Sequence, residues 1–422
     1  MLAEGLMMKR TAKFWLVAMI MCLLTSMAYA DEVTDWNGHL LEAARATNVN
    51  PLVAVRGAAI VHAAVLDAIN GIERRYAPIH VQPAADSGAS RRAAAVQAAY
   101  ATLIRLFPTE QIMLEAKRQV SLDALAGDRA DGHGGSITAG IAWGQKVADA
   151  IWEWRSTDGF TMPAPPYLGG LNVGQWRPTP PDSLPGLGVQ FATMTPWVIP
   201  SPSYFRPTEP PALNRDQYTA DVNEVKIMGS LSSTARPADQ TLAAFFWNAT
   251  SSICAWNTVA VSLGARRHTS LSENVQLLAL LNVTMADAMI SCYDAKYAYE
   301  FWRPVTSIPL AADDGNPATR EDPNWAPLLA TPPVPEYPSG HSCASGAAAA
   351  LLGNYFGEDT HFNVGSDVMF GVIRSFRSFS QALEAVKNAR IFGGIHVRLA
   401  CEVGQKLGRD VAAYVLQHLV SK

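Results

Sequence analysis

The segment 335–352 changes abruptly from a chain that resists helix formation to one that favours it. Prolines near its start remove backbone donors and fix φ, whereas an alanine-rich run begins at Ala344. Ser339, Gly340 and His341 therefore lie where a helix begins. The free N–H groups of a first helical turn attract anions, and a glycine there lets an anion approach the backbone. Taken alone, this pattern is more typical of a serine-capped helix with a solvated histidine.

The composition sets broad limits on the class of protein. The chain has 422 residues, of which 49% are hydrophobic and 17% charged, with a formal net charge of −4. That is enough for a large core in one or two domains. The slightly acidic balance argues against a nucleic-acid-binding surface, although local basic residues can still form an anion pocket.

The N-terminus, residues 1–30, has the pattern of an export signal peptide. Basic residues precede the apolar stretch 14–27, and Ala28-Tyr29-Ala30 fits a small-x-small cleavage site. We therefore expect a mature chain that starts at Asp31 and is secreted or periplasmic. No later segment has an uninterrupted apolar run of about 18 residues, so we expect no membrane span in the mature chain.

Apolar residues recur at helical spacing through most of the chain, and no convincing strand is found. This predicts an all-α fold: a large helical bundle, in one or two four-helix-bundle-like halves, with long proline-rich loops. Residues 31–210 would contain the N-terminal helices and a proline-rich loop, and residues 271–422 the helices of the site. A glycine-rich loop is expected at 127–135. The predicted helices cover residues 51–70, 88–106, 109–126, 136–155, 211–228, 236–249, 252–264, 271–302 and 396–421.

Residues 156–211 are dense in proline and glycine and lack helical periodicity. A loop of this length usually lines a site or bridges two halves of a protein. Its Arg177 and Arg206 fit a site or surface packing equally well. In the first predicted helix, His62 and Asp67 are best interpreted as structural.

The predicted helix 271–302 ends in charged and aromatic residues. Lys296 and Arg303 are seven residues apart, so both would project from one face of a continuous helix, with Glu300 between them. A surface ladder of lysine, glutamate and arginine is the simple interpretation. The surrounding aromatic residues indicate a half-buried helix end instead, where two cations need an anionic partner such as an oxyanion.

A third feature is the run from Arg390 to His396, which contains Gly393-Gly394. On a continuous helix the two end residues would lie on different faces, but the glycine pair breaks the helix and allows a turn that brings both to one point. The three features together supply three fixed cations, a helix N-terminus and two histidines. That set suits phosphoryl transfer through a histidine, or the binding of a metal oxyanion.

Lys-x6-Arg-Pro, Pro-Ser-Gly-His and Arg-x5-His thus occur in this order within residues 271–415. This signature resembles the one shared by the vanadium-dependent haloperoxidases and the type 2 phosphatidic acid phosphatases. The upstream helices and the Trp-Arg-Pro loop are more loosely similar to the long bacterial haloperoxidase-like branch. The resemblance implies an enzyme whose residues 31–422 form a haloperoxidase-like helical domain.

The resemblance also implies a role for each matching residue. His341 would be the acid or base near the apical oxygen of the bound oxyanion. His396 would be the vanadium ligand, or the nucleophile if the substrate is a phosphoester. The oxygens of vanadate or phosphate would be bound by Lys296, Arg303, Ser339, Gly340 and Arg390.

The chain departs from the family pattern at several positions. Ala389 stands where many members have serine before the arginine of the third part. Ala400 stands where many have an acid four residues after the final histidine, with Glu402 two further on; a missing carboxylate would orient that histidine less well. Val334 occupies a position linked to halide preference in the family, and valine does not identify a halide. Asp287 is either a partner of a site arginine or structural.

The leading hypothesis is a vanadate-dependent haloperoxidase that uses hydrogen peroxide to oxidise a halide, with a small organic substrate. Its support is the length of the chain, the Phe-Trp-Arg-Pro form of the first motif and the absence of predicted membrane spans. Two alternatives stay open. One is a soluble acid phosphatase or phosphatidic acid phosphatase-like phosphoesterase with a phosphohistidine intermediate, and the other is a non-catalytic oxyanion-binding protein. The halide, the organic substrate and the oligomeric state do not follow from the sequence, although a homodimer is compatible with it.

Four cysteines remain after removal of the signal peptide. Four cysteines in an exported protein permit three disulfide pairings, which the sequence does not distinguish. A disulfide between Cys343 and Cys401 is one hypothesis, because both closely follow a candidate histidine. Small buried thiols are the favoured alternative. The four are Cys254, Cys292, Cys343 and Cys401.

Overall fold

The computed structural model describes residues 31–86, 88–127, 135–366 and 368–420. The predicted signal peptide, residues 1–30, lies outside the described residues, as does most of the predicted glycine-rich loop. Within the described part, the chain is predominantly helical.

Thirteen α-helices run through the described residues. The first seven are α1 (Glu32–Ala46), α2 (Pro51–Glu73), α3 (Arg91–Leu106), α4 (Gln111–Gly127), α5 (Ile137–Ser156), α6 (Asp216–Met228) and α7 (Ala238–Ala249). The others are α8 (Ser252–Arg267), α9 (Leu271–Tyr299), α10 (Pro304–Ser307), α11 (Gly340–Phe356), α12 (Phe379–Phe392) and α13 (Arg398–Leu419). Short 3-10 turns lie at Pro108–Glu110, Val189–Ala192, Pro202–Phe205 and Ala311–Asp313.

Local sequence signals explain where the two central helices begin. The side chain of Asn50 caps α2 by accepting the N–H of Leu52, and Pro51 occupies the first position. Ser270 and Glu273 form a reciprocal capping box at the start of α9. Both helices are long and apolar enough to cross a membrane, yet 94% of the apolar window of each is buried in the fold, as expected of core helices.

The helices form two bundles that share a core. In the first bundle, α3 packs against α1, α2, α4 and α5. In the second, α9, α11 and α13 pack on one another, and α8 and α12 contact α11. Helix α2 lies along α9 and joins the two bundles. The prediction of an all-α fold built from bundle-like parts is confirmed.

A short β-hairpin contradicts the expectation that the chain has no strands. β1 (Phe362–Gly365) and β2 (Ile373–Phe376) pair antiparallel, with Phe362 opposite Phe376. These two phenylalanines and Val364 are buried against the core. Strands of four residues are too short for alternating hydrophobicity to stand out in the sequence, which is why the pattern gave no signal.

Helix α9 ends at Tyr299, so the prediction of one helix through residue 302 is wrong. Glu300 adopts a left-handed conformation, with φ of 49°, and ends the helix. The N–H of Trp302 then donates to the carbonyl of Gly174 at 3.0 Å, in the proline-rich loop. Arg303 is the N-cap of α10. It therefore reaches the site from a separate turn and not from the helix face that carries the lysine.

The proline-rich loop connects parts of the chain that are distant in sequence, as its length predicts. Trp176 is fully buried, and its N–H donates to the carbonyl of Glu300 at 2.6 Å. Leu187 donates to the carbonyl of Pro333 at 2.9 Å. The loop thus holds both the end of α9 and the segment that precedes α11.

Helices α11 and α13 approach closely at Gly408, which has no side chain. Adding a methyl group there tests this packing. A Cβ on Gly408 would lie 2.2 Å from the carbonyl oxygen of Cys343, whereas a Cβ on exposed Gly38 in α1 would meet nothing within 4 Å. We expect Gly408→Ala to lower the free energy of unfolding by about 1–3 kcal/mol through overpacking. Gly38→Ala, the matched control, should raise it by roughly 0.5–1 kcal/mol. Denaturant unfolding of the two variants measures both changes, and equal changes would contradict the described packing.

Candidate active site

Helix α11 begins at the predicted point. Ser339 is its N-cap and Gly340 its first residue. The N–H of Ser339 donates to the carbonyl of Ala400 at 2.9 Å, which ties this turn to α13. A Cβ on Gly340 would meet only the end of Met289, at 3.4 Å. The glycine therefore leaves space beside the free N–H groups of the first turn.

Lys296 lies in the last turn of α9, and its side chain is buried. Its Nζ donates to the carbonyl oxygens of Pro335 at 2.5 Å and of Glu336 at 3.3 Å. Within the described residues, no carboxylate forms an ion pair with it. Carbonyl dipoles hold the ammonium group in place without cancelling its charge, so the charge remains available to an anion.

Arg303 is the most extensively bonded cation of the site. Its Nε donates to the carbonyl of Val334 at 2.8 Å, and its Nη1 donates to the carbonyl of Ile395. The same Nη1 lies 3.2 Å from Oε2 of Glu336 and 3.1 Å from Nε2 of His396. This one guanidinium therefore contacts the segment before α11 and the turn before α13.

Arg390 lies in the last turn of α12 and is 1% exposed. Its Nη2 is 3.5 Å from the side-chain oxygen of Asn248, whereas Nε and Nη1 are buried without a hydrogen-bond partner. Helix α12 ends at Phe392, Gly393 is its C-cap, and Gly394 has φ of 74°. As predicted, the glycine pair turns the chain and returns His396 to the cavity that Arg390 also lines.

A cavity of about 1210 Å³ is the point where the three motifs meet. Ser339 does not line it; its hydroxyl lies beside the Cys401 thiol and has no nitrogen or oxygen partner. Part of the cavity wall is largely apolar and includes Leu52, Val55, Ile253, Met289, Tyr293 and Val334. The other six predicted site residues all line the cavity: Lys296, Arg303, Gly340, His341, Arg390 and His396.

A carboxylate that the sequence analysis did not assign lies beneath His396. Oε1 of Glu336 is 2.9 Å from Nδ1 of His396 and accepts the N–H of Val397 at 2.9 Å. Glu336 is fully buried. Its carboxylate is the one acidic group, within the described residues, that pairs with a cation of this site.

Burial, and after it the charges of neighbouring groups, shifts the pKa values of the site residues. The pKa of Lys296 is lowered to about 8, chiefly by burial and further by the charge of Arg303. The pKa of Arg390 is lowered to about 10, chiefly by burial. Burial and the neighbouring cations also lower the pKa of His341 and of His396 well below the usual value, so both imidazoles are neutral at pH 7. Burial raises the pKa of Glu336 to about 7, against the opposing charge of Arg303.

Comparisons with known proteins match both the sequence and the fold. The family described as VCPO second helical-bundle domain matches residues 276–422. Vanadium chloroperoxidase of Curvularia inaequalis is 33% identical over 128 residues, which cover 25% of this chain and only 20% of that protein. The chain thus aligns with about a fifth of the length of this curated relative.

Solved structures extend the similarity to nearly the whole chain. A structure described as the first bacterial vanadium-dependent iodoperoxidase matches 93% of this chain and 97% of its own, with a TM-score of 0.80 and 28% identity. The resemblance to the vanadium haloperoxidases is confirmed. Apo- and holo-type bacterial vanadium-dependent chloroperoxidases, each 16% identical, share the fold over 87% and 88% of this chain and 95% and 93% of their own, with TM-scores of 0.68 and 0.67. The curated chloroperoxidase and the iodoperoxidase structure also support the prediction of a haloperoxidase-like enzyme.

Three other candidate residues lie outside the cavity. Asp287 accepts the backbone N–H groups of residues 197–199 at 2.7–3.0 Å, so it is structural and not the partner of a site arginine. Arg206 forms two hydrogen bonds of 2.7 Å with Asp294. Arg177 donates to main-chain carbonyls of its own loop. Each of these contacts orders the proline-rich loop.

Two buried polar residues of the core, His62 and Asp67, have the structural roles that the sequence analysis gave them. His62 bonds to the side chain of Asn37 at 3.1 Å, and Asp67 accepts three backbone N–H groups of the following loop. The hypothesis of a disulfide between Cys343 and Cys401 is wrong in this structure, because both are free buried thiols. Cys254 and Cys292 likewise form no disulfide within the described residues.

Sequence reasoning missed three residues of the site. Tyr293 and Met289 precede Lys296 by three and seven residues on α9, so they share its helix face and line the same cavity. Once Lys296 was assigned to the site, helical spacing alone could have identified both residues. Glu336 gave a weaker signal, an acid between two prolines, and only the fold brings it to His396.

The lowered pKa of Lys296 predicts that anion binding depends on pH. Sulfate is a tetrahedral dianion throughout the range from pH 8 to 9.5. Bound sulfate requires a protonated Lys296, so its affinity should fall roughly tenfold across this range as the free lysine, of pKa about 8, loses its proton. Titration calorimetry at several pH values measures this.

Lys296→Arg is the control, because arginine stays protonated over the same range. Its sulfate affinity should be nearly constant from pH 8 to 9.5. Parallel curves for the wild type and this variant would show that another group causes the pH dependence.

Proposed function

We propose that this protein is a vanadate-dependent haloperoxidase that uses hydrogen peroxide to oxidise a halide. The observation that carries the proposal is the cavity where three buried cations and two histidines converge, with two nitrogens of the Arg390 guanidinium left without a protein partner. Buried donors of this kind are normally satisfied, so the arrangement fits a bound oxyanion. The named relatives favour peroxidase chemistry over other uses of such a site.

The residues present fit vanadate. Donors for its oxygens are the side chains of Lys296, Arg303 and Arg390, together with the N–H of Gly340, where the missing side chain leaves room. His396 offers a neutral imidazole to the metal. Within the described residues there is no cluster of three or more His, Cys, Asp or Glu that would hold a metal cation, so the donor set is that of an oxyanion. Vanadate bound here would supply Lewis acidity toward hydrogen peroxide, without a change of oxidation state.

Each remaining step falls to this chain's own residues. His341 is neutral and lines the cavity, so it can accept a proton from hydrogen peroxide and return one to the departing oxygen. The cations stabilise negative charge that develops on oxygen. Met289, Tyr293 and Val334 keep this side of the cavity apolar, which favours a weakly hydrated halide and a small organic substrate.

A phosphoesterase is the second candidate, because the same donors suit phosphate. His396 would then be the nucleophile and form a phosphohistidine intermediate. A non-catalytic oxyanion-binding protein is the third, and it would need the cations alone. The haloperoxidase is preferred because the structure that matches 97% of its own length is described as an iodoperoxidase.

We propose in addition that the protein acts outside the cytoplasm, after cleavage before Asp31. The support is the basic, then apolar, then small-residue pattern of residues 1–30. Sequencing the N-terminus of protein recovered from the periplasm and medium of an expressing bacterium tests this. An intact first residue in all fractions would contradict it.

The decisive assay uses full-length mature protein stripped of oxyanions. Oxidation of iodide, bromide and chloride by hydrogen peroxide is measured with and without added vanadate, and phosphoester hydrolysis is measured on the same sample. We expect vanadate-dependent oxidation of at least one halide. It should be lost in His396→Ala and reduced about 10²–10⁴-fold in His341→Ala, because the proton transfer is removed.

His361→Ala is the matched control, since this exposed histidine lies outside the cavity. Its activity should equal that of the wild type. Phosphoester turnover that vanadate inhibits would support the phosphoesterase instead. Binding of vanadate without either activity would leave the oxyanion-binding protein.

A further inference from the structure

The carboxylate of Glu336 links the first, second and third motifs of the site. It is fully buried, and each of its oxygens faces a donor. Oε2 is 3.2 Å from Nη1 of Arg303, and Oε1 accepts the backbone N–H of Val397 at 2.9 Å. Nδ1 of His396 lies 2.9 Å from the same Oε1. No other described side-chain carboxylate hydrogen-bonds to this histidine.

This geometry selects one tautomer of the histidine. Arginine and a backbone N–H can only donate, so both oxygens of Glu336 act as acceptors. An ionised Glu336 has no proton to give, so its contact with Nδ1 of His396 then requires that Nδ1 carries the proton and donates it to Oε1. In a neutral imidazole the other nitrogen, Nε2, is consequently unprotonated and keeps its lone pair. Nη1 of Arg303, which can only donate, lies 3.1 Å from Nε2 and agrees with this tautomer.

The position of Glu336 is fixed by its own backbone. Its N–H donates to the carbonyl of Phe301 at 2.8 Å, and its carbonyl accepts Nζ of Lys296. The residue before it, Pro335, accepts the same ammonium group. The backbone of Glu336 is therefore held by Lys296 and Phe301, at and just beyond the end of α9, and not by α13.

The other nearby acid does not perform this task. Glu402 pairs with Lys387 at 3.2 Å, and its side chain is 44% exposed. Ala400, where an acid was expected from the family pattern, has no group that could bond to the histidine. The chain thus replaces a carboxylate from the last helix by one from the segment before α11.

We propose that Glu336 is a positioning residue that fixes the tautomer and ring orientation of His396, so that the lone pair of Nε2 points at the bound oxyanion. This deepens the proposed function and rests on the role assigned there to His396. A carboxylate behind a metal-ligating histidine normally orients the ring and raises its basicity. Here the acid that does so is supplied from a different element of the fold.

The first test observes the tautomer directly and needs no change at Glu336. Full-length mature protein with ¹⁵N-labelled histidine is examined by NMR at pH 8, without ligand. The signals of His396 are assigned by their loss in His396→Ala, or in His396→Gln if the first variant does not fold. We expect a protonated Nδ1 and an unprotonated Nε2. A proton on Nε2 would overturn the proposal.

The second test removes the charge of Glu336 without changing the size of its side chain. In Glu336→Gln, the NH₂ group faces either Nη1 of Arg303 or the pair formed by Nδ1 of His396 and the N–H of Val397. In the first case Nδ1 keeps a hydrogen bond to a neutral oxygen, which is weaker than one to a carboxylate, and in the second it loses that acceptor, so in both the His396 signals should shift or broaden. Glu402→Gln is the matched control and should leave them unchanged. Unchanged signals in a folded Glu336→Gln protein would contradict the proposed role.

The third test separates positioning from simple electrostatics by comparing two anions. Vanadate needs the lone pair of Nε2, whereas reversible phosphate binding needs mainly the cations. In Glu336→Gln we expect vanadate affinity to fall about 10–100-fold relative to phosphate affinity. Equal changes for both anions would show that Glu336 acts only on the charge of Arg303.

These readouts do not depend on turnover. If the wild type binds vanadate and oxidises no halide, the proposed function fails, while the tautomer and the affinity ratio still decide the role of Glu336. If the wild type oxidises halide and Nε2 is protonated, the function stands and the role of Glu336 is refuted.

Discussion

The burial of Lys296, Arg303 and Arg390 around one cavity is the constraint on which the rest of the structure depends. Buried charges are costly unless they are paired and hydrogen-bonded. Within the described residues, Glu336 is the one carboxylate that pairs with any of these three cations. Three cations and one carboxylate leave two positive charges uncompensated. Burial, and then these cations, lower the pKa of His341 well below its usual value. A multiply charged anion is the partner that such a cavity lacks.

Main-chain carbonyl groups hold two of these cations in place. Lys296 and Arg303 donate to carbonyls of residues 334–336, and Arg303 also donates to that of Ile395. A carbonyl fixes the direction of a donor but carries no net charge. At Lys296, a carboxylate in place of these carbonyls would also neutralise the charge and compete with the ligand. Backbone hydrogen bonds hold the segment that carries these carbonyls, from Leu187 to Pro333 and from Glu336 to Phe301.

The sequence predicted what depends on local chemistry. The helix start at Gly340 follows from prolines before it and alanines after it, and the turn at 393–394 follows from its glycines. The end of α9 at Glu300 was missed, because glutamate has no preference for a left-handed conformation and tertiary bonds to the proline-rich loop impose it. The strands of the hairpin 362–376 were too short to show alternating hydrophobicity in the sequence. Glu336 was missed because its partner is sixty residues away along the chain.

The segment 334–336 connects the parts of the site mechanically as well as electrostatically. Its carbonyls hold Lys296 and Arg303, and its one acidic side chain holds His396. A displacement of this segment would therefore misplace two cations and the histidine together. With an acid on α13, as the family pattern has it, the orientation of the histidine would be independent of the two cations. Placing the acid here couples all three, so that the anion site is either assembled as a unit or disrupted as a unit.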